Sequence, residues 1–456
     1  MQNTILQAWF SLSVGFAIGI SVLPGSVVEP GDLFWAGFAL TIGLLIGPVL
    51  LFFKSSELFV HPVAIMILGL VYFVTLDLMQ GQQIIHVGSS DPVAIALLLV
   101  YLFATGIYLA VIFGHNRFVS SAKLFEPKVD LDRLFFTVGI ISFCLAIVSR
   151  AIPANFDLML MYSSLFESRF QAAWSRGALG GWDAFANHLA YFGYLLPPIL
   201  AAYYRLSGRA NWKWFILLAM TAFLIPFYFQ GGGRRIVGAL VLGFVGVWIL
   251  AAKDRRKSAI RTGIIVLPLL LLLMNFMLIV RSVGLGGVET WMVDDVLSKG
   301  YVRIDDNFRR IVQTVEFFPA LFEHVGFEYV AYVLARPIPR VFWPDKPVNF
   351  GFDLGAAVGM EGVGLTTSIV GEAYMAFSYL GVLGFGLVYG SLGMYLFSKF
   401  FVKGRIDLII IYALGLSALF LGIRSGVEII LYSYPIIAFI LTMRFAGKFR
   451  AMRVKT

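Results

Sequence analysis

The sequence predicts an all-α, polytopic integral membrane protein with about twelve transmembrane helices and one large outer loop that contains an amphipathic helix. Three observations carry the prediction. Of the 456 residues 59% are hydrophobic and only 13% charged, with a mean hydropathy of +0.87, which leaves too little polar surface to clothe a water-soluble globule of this length. Apolar runs of about 17 to 25 residues recur along the chain, each long enough as a helix to cross a hydrocarbon core of about 30 Å. The loops between those runs alternate in basic content, as the two sides of a membrane require.

In order, the runs fall near 5–24, 33–53, 59–80, 92–114, 134–152, 184–204, 214–229, 236–252, 262–280, 369–397, 407–423 and 427–445. The first lacks the basic n-region and small-residue cleavage site of a removed signal peptide, so it reads as a retained span. Basic residues gather at Lys54; at Arg117, Lys123, Lys128 and Arg133; at Arg205, Arg209 and Lys213; at Lys253 to Arg261; at Lys399, Lys403 and Arg405; and in the tail from Arg444. By the positive-inside rule these are cytoplasmic, and an even number of spans puts both termini there too. The chain reads as a single transmembrane domain over 1–456, with a smaller outer loop over 153–183 and a large one over 281–367. Within the large loop Phe308, Ile311, Val312 and Val315 recur at helical spacing opposite Asp305, Asp306, Arg309, Gln313 and Glu316. That pattern predicts an amphipathic helix, floating on the membrane or covering a cavity. Cys144, the one cysteine, lies within an apolar run and is expected in the core.

Several function classes fall away. A net charge of +9 would suggest nucleic acid in a soluble protein, but here the charge sorts by membrane side, so no nucleic-acid partner is expected. The histidines at 61, 86, 115, 188 and 324 show no ligand spacing, and a lone cysteine makes no thiolate site, so no metal is expected. There is no P-loop and no dinucleotide fingerprint, hence no expected cofactor. Asp130 and Asp132 echo a metal-binding carboxylate pair but sit on the cytoplasmic side without a nucleotide-binding domain, and read as solvated loop charge.

The informative asymmetry is between the two sides. The cytoplasmic set mixes ten lysines with eleven arginines, whereas the outer set has twelve arginines and two lysines, Lys299 and Lys346. Arginine presents a planar fork that engages phosphate oxygens bidentately, while lysine is a strongly hydrated point charge. Arg150, Arg234, Arg235, Arg281 and Arg424 fall at the outer ends of expected spans, where a cation opposes the orienting rule and is costly to desolvate without an anion. Between helices lies RPIPRVFWPDKP, residues 336–347. Its prolines fix φ near −65° and pre-position Arg336 and Arg340 on an extended loop, which suits a diphosphate. Trp174, Trp182, Trp291, Phe342 and Trp343 are candidate platforms for sugar rings or anchors at the membrane interface.

The proline–arginine loop, followed by TTSIVGEAYMAFSYLG at 366–381, resembles the Wzy-type oligosaccharide repeat-unit polymerases that build O-antigen and related bacterial polysaccharides. The turn Gly231-Gly232-Gly233-Arg234-Arg235 is similar to one in that family. So is an arginine followed, after ten intervening residues, by a glycine, met by Arg169 with Gly180 and by Arg340 with Gly351, though it is common enough by chance to carry little. The chain departs from the pattern at Phe377-Ser378, where Phe-Gly is expected. The resemblance implies transfer of a growing glycan from undecaprenyl diphosphate onto the next lipid-linked repeat, at the periplasmic face of the bacterial inner membrane, with a chain-length-regulating membrane protein as a further partner.

Such a reaction needs cations for the diphosphate leaving group and a base for the acceptor hydroxyl. Arg336 and Arg340 are the expected catalytic cations and Glu372 the expected base. Arg234, Arg235, Arg281, Arg424, Arg169, Asp306, Trp343 and Lys346 are the expected substrate-binding residues. Asp305, Asp353, Glu361 and His324 are further candidate proton acceptors. Two other functions share these features: an O-antigen ligase, which delivers the glycan to lipid A-core, and a lipid-linked oligosaccharide flippase. The scarcity of charge deep within spans weighs against the latter.

Overall fold

The structure, a computed structural model, describes residues 2–54, 60–79, 89–119, 130–168, 170–175, 181–230, 233–298, 306–338, 342–343, 345–347, 352–360, 365–401 and 404–453. Within these it is helical, with no strand, as backbone crossing lipid must satisfy its hydrogen bonds within each segment. The first six helices are α1 (Gln2–Ser21), α2 (Phe34–Lys54), α3 (Pro62–Leu70), α4 (Leu76–Met79), α5 (Asp91–Val119) and α6 (Leu131–Ala151). A π-helical turn at Val71–Thr75 joins α3 to α4. The connection after α6 carries α7 (Leu158–Ser164) and leads through α8 (Gly181–Ala186) and a 3₁₀ stretch, Asn187–Leu195, into α9 (Leu196–Ser207). Then come α10 (Trp212–Gln230), α11 (Arg234–Leu250) and α12 (Arg255–Val283). The large loop between α12 and α17 holds α13 (Thr290–Ser298), α14 (Asn307–Phe317), α15 (Phe327–Ala335) and α16 (Leu354–Ala357). Last are α17 (Ser368–Leu396), α18 (Ile406–Gly422) and α19 (Gly426–Arg453).

Each of the twelve apolar runs coincides with helix. Among the described residues nine helices are long and apolar enough to cross a membrane. The other three runs are served by α9, preceded by its 3₁₀ stretch, and by the 17-residue helices α11 and α18. The chain is therefore a polytopic helical membrane protein by length and composition.

The tightest pairing joins α5 to α17. A Cβ on Gly106 would collide with the Leu383 carbonyl, and one on Gly386 with the Phe103 carbonyl, so glycine lets these two backbones touch where lipid offers no hydrophobic drive between helices.

Two expectations need correction. Cys144 is exposed on α6, not buried; its apolar neighbours made an interior position plausible, but in a membrane an apolar surface faces lipid. The amphipathic helix α14 forms where its periodicity places it, yet it neither floats nor lies loosely over a cavity. Phe308, Ile311 and Val312 are fully buried, and Asn307 Nδ2 donates to the Phe73 carbonyl of the π-helical turn at 3.1 Å. Thr314 Oγ1 meets Thr367 Oγ1 at 2.9 Å, just before α17. The helix is thus a structural wedge between the bundle and the rest of the large loop.

Helix α17 is broken. Phe377 (φ −141°, ψ 25°) and Ser378 (φ 58°, ψ −154°) leave helical geometry, and the carbonyls this frees are taken up by the large loop. Val325 N donates to Met375 O at 3.0 Å, Gly326 N to Ala376 O at 2.9 Å, and His324 Nδ1 lies 3.3 Å from Met375 O. His324 is thereby structural. Ser378 occupies a region of φ/ψ that only glycine visits without strain, and it is the position where the resemblance calls for glycine. Ser378→Gly should therefore raise stability by about 1 kcal/mol, read as a higher Tm in detergent. An unchanged or lower Tm would show that the break is not strained.

Candidate functional site

The break leaves residues 368–376 as a short half-helix, and Glu372 projects from it into its junction with α15 and the start of α19. It is only 4% exposed. Its Oε2 accepts from the Tyr329 hydroxyl of α15 at 2.6 Å and from the backbone N–H of Gly426, the first residue of α19, at 2.8 Å. Its Oε1 accepts from Ser425 Oγ at 2.6 Å. A carboxylate at the start of α19 also meets the positive end of that helix dipole. Burial, then the charge of Glu372, hold the Tyr329 phenol well above its ordinary value, so it stays a donor. A Cβ on Gly426 would run into the Tyr329 hydroxyl. Gly426→Ala should accordingly cost roughly 1–3 kcal/mol, checked by thermal unfolding beside Tyr329→Phe, Gly426→Ala, which relieves the collision.

This carboxylate fixes the turn that carries Arg424. Next to it, Arg235 at the start of α11 pairs with Glu428 of α19, and Arg424 Nη1 lies 3.8 Å from the same Glu428 oxygen. Glu428 is buried, so it draws two guanidinium groups to one point. Arg234 precedes Arg235 and is half-buried.

The proline–arginine loop docks on the same helix. Tyr434 of α19 donates from its hydroxyl to the Pro337 carbonyl at 3.0 Å. Lys346 is buried, and its Nζ donates to the carbonyls of Arg336 at 3.0 Å and Ile338 at 2.8 Å, tying the turn from inside. The Arg336 guanidinium lies over the Tyr332 ring at 5.6 Å. Behind these cations stands a wall of tyrosines. Tyr191 stacks on Tyr434 at 6.0 Å and Tyr194 on Tyr432 at 5.4 Å.

Not every expected site residue joins this cluster. Arg281 is exposed at the end of α12. Asp306 is taken by α14 itself, pairing with Arg310 at 2.5 Å. Asp353 caps α16 through Gly355 N at 2.9 Å. Asp132 pairs with Lys213 and accepts from the Tyr203 hydroxyl at 2.5 Å, and Asp130 caps α6, so both have structural partners. Arg169, Arg340, Asp305 and Glu361 lie outside the described residues. Trp174 is buried and is no open platform. Trp182, Phe342 and Trp343 are exposed, and the Trp182 ring meets Phe342 edge-on at 5.8 Å, joining α8 and the proline–arginine loop in one aromatic patch.

Glu428, Tyr329 and Ser425 were missed by sequence reasoning. The only local signal was Ser425-x-x-Glu428, a capping-box pattern ahead of an apolar run, whose side chains here turn to Glu372 and Arg235 instead. Among the described residues no three His, Cys, Asp or Glu side chains gather as a metal site. Comparison of the chain with family models, with curated proteins and with solved structures finds no match.

Proposed function

We propose that the chain polymerises lipid-diphosphate-linked oligosaccharide repeat units, transferring the growing glycan from undecaprenyl diphosphate to the next lipid-linked repeat. The observation that carries the reading is the convergence of Arg235 and Arg424 on Glu428 at the ends of apolar helices, with Arg234 next in the chain and the Arg336 turn docked on the same helix through Tyr434. Such a cluster suits an anion at membrane level, attached to a chain that stays in the bilayer and a glycan that rises to the outer aromatic patch. On this reading the arginine end is periplasmic, both termini are cytoplasmic, and the membrane is the bacterial inner membrane. A membrane protein that regulates chain length is a further proposed partner.

In the reaction the bond between the anomeric carbon and the diphosphate breaks, the acceptor hydroxyl oxygen takes that carbon, and the hydroxyl proton passes to an oxygen of the departing diphosphate. The charge that develops on the leaving diphosphate is stabilised by guanidinium groups already in place. Glu428 holds Arg235 and Arg424 side by side, and Glu372 holds the turn beneath Arg424. With its oxygens already accepting three hydrogen bonds, Glu372 is better suited to orienting than to taking a proton. Arg340 and Arg169 remain proposed contacts from the outer loops, and Trp343 with Trp182 and Phe342 a proposed glycan platform.

The test is reconstitution in liposomes with a synthetic undecaprenyl-diphosphate-linked repeat unit. Wild type should release undecaprenyl diphosphate and form lipid-linked products of two and more repeats, and Arg424→Ala should slow this roughly 100-fold or more. Product formed only when lipid A-core is added would replace polymerase with ligase.

A further inference from the structure

Among the described residues two arginines are buried, Arg150 and Arg310. Arg310 has a carboxylate partner in Asp306. Arg150, in the last turn of α6 and only 8% exposed, has neutral ones. Its Nη1 donates to Asn187 Oδ1 at 3.2 Å, and its guanidinium lies 5.5 Å from the Trp174 ring and 5.9 Å from the Tyr228 ring. The C-terminal end of α6 and the two π faces favour a cation here, yet a guanidinium has five N–H donors, and a buried charge at membrane depth calls for a counter-charge.

The walls around it are locked. Trp174 Nε1 donates to Gln230 Oε1 at 2.9 Å, and Gln230 Nε2 donates in turn to the carbonyls of Glu167 at 3.1 Å and Ser168 at 3.2 Å. The Tyr228 hydroxyl donates to the Ala190 carbonyl at 2.6 Å. Tyr194 meets Tyr228 at 5.7 Å and Tyr432 at 5.4 Å, and the Tyr432 hydroxyl reaches the Arg235 carbonyl at 3.4 Å. Tyrosines thus separate Arg150 from the Arg235–Arg424 cluster. Just past Arg150 in the chain, Phe156, Leu158 and Met159 are exposed.

The geometry points to Arg150 as a second anion site, one that takes the phosphate headgroup of a membrane lipid against Trp174 and Tyr228. The exposed apolar side chains of Phe156, Leu158 and Met159, which follow it in the chain, favour an anion that carries a hydrocarbon chain over a free one. The site stands independently of the polymerase reading, although a reaction between two lipid-diphosphate-linked substrates would have use for it.

Full-length protein in non-ionic detergent is titrated with farnesyl diphosphate, inorganic pyrophosphate and farnesol, counting bound molecules by native mass spectrometry. Wild type should bind two farnesyl diphosphates and no farnesol. In Arg150→Gln and Arg150→Lys one of the two should weaken roughly 10- to 100-fold, the loss expected for charge-assisted hydrogen bonds, while Arg424→Gln weakens the other. The lysine variant keeps the buried charge but not the fork, so it serves if the glutamine variant fails to fold. Two undiminished molecules on folded Arg150 variants would overturn the site, and equal Arg150-dependent binding of pyrophosphate would overturn the lipid assignment. If Arg150 matters while Arg424→Gln changes nothing, the second site stands and the diphosphate reading of the Arg424 cluster falls.

Discussion

Glu372→Leu should destabilise the protein by about 3–5 kcal/mol, the cost of stripping a buried, hydrogen-bonded charge from its partners. Leucine fills similar space but leaves the Tyr329 hydroxyl, the Ser425 hydroxyl and the Gly426 N–H without an acceptor in a buried junction. Glu372→Gln should cost less, about 1–3 kcal/mol, because one amide oxygen still accepts while the amide nitrogen faces a donor. Tyr329→Phe removes one donor of three and should cost about 1 kcal/mol. Thermal unfolding in detergent ranks the three. If Glu372→Leu unfolds no earlier than Tyr329→Phe, the junction of α15, α17 and α19 does not depend on this carboxylate.

The second large effect lies at Glu428, whose loss removes the carboxylate that Arg235 and Arg424 share. Glu428→Ala should abolish detectable polymer, and part of the activity should return in Glu428→Asp, which keeps the charge. Arg235→Ala, Glu428→Ala should be more stable than Glu428→Ala alone, because the second substitution removes the repulsion that the first exposes. A double-mutant cycle on Tm reads this coupling, expected at about 1–3 kcal/mol for groups in direct contact. Additive single effects would mean that the ion pair is not formed. Since the Glu428→Asp comparison reads activity and the cycle reads stability, an arginine cluster that serves folding alone is told apart from one that serves the reaction.

Span positions were legible because a 30 Å hydrocarbon layer demands long apolar runs whatever packs against them, and each of the twelve runs is helical. The face of α14 was legible from its 3.6-residue period, through Phe308, Ile311, Val312 and Val315. What that face packs against was not, because the partner carbonyl at Phe73 is 234 residues away. The break in α17 left one trace, a serine where the resemblance calls for glycine, and nothing local announces that Met375 and Ala376 surrender their carbonyls to the large loop. At the site, the excess of arginine on one side pointed to Arg234, Arg235, Arg336 and Arg424. Glu428 was overlooked because its partner Arg235 is 193 residues away, and Glu372 looked like an open base because its donors come from two other helices. Cys144 and Trp174 were misjudged for opposite reasons: an apolar neighbourhood can mean lipid, and a tryptophan in an outer loop can be core.

The most direct test of the central claim is the size distribution of surface polysaccharide on a gel after deletion of the gene, then restoration as wild type, as Arg424→Ala and as Arg340→Ala. The account predicts single-repeat glycan in the deletion strain, a full ladder with wild type and no ladder with either variant present at normal level in the membrane. A deletion strain that accumulates long lipid-linked chains, with no repeat on the acceptor, would contradict it and make the protein a ligase.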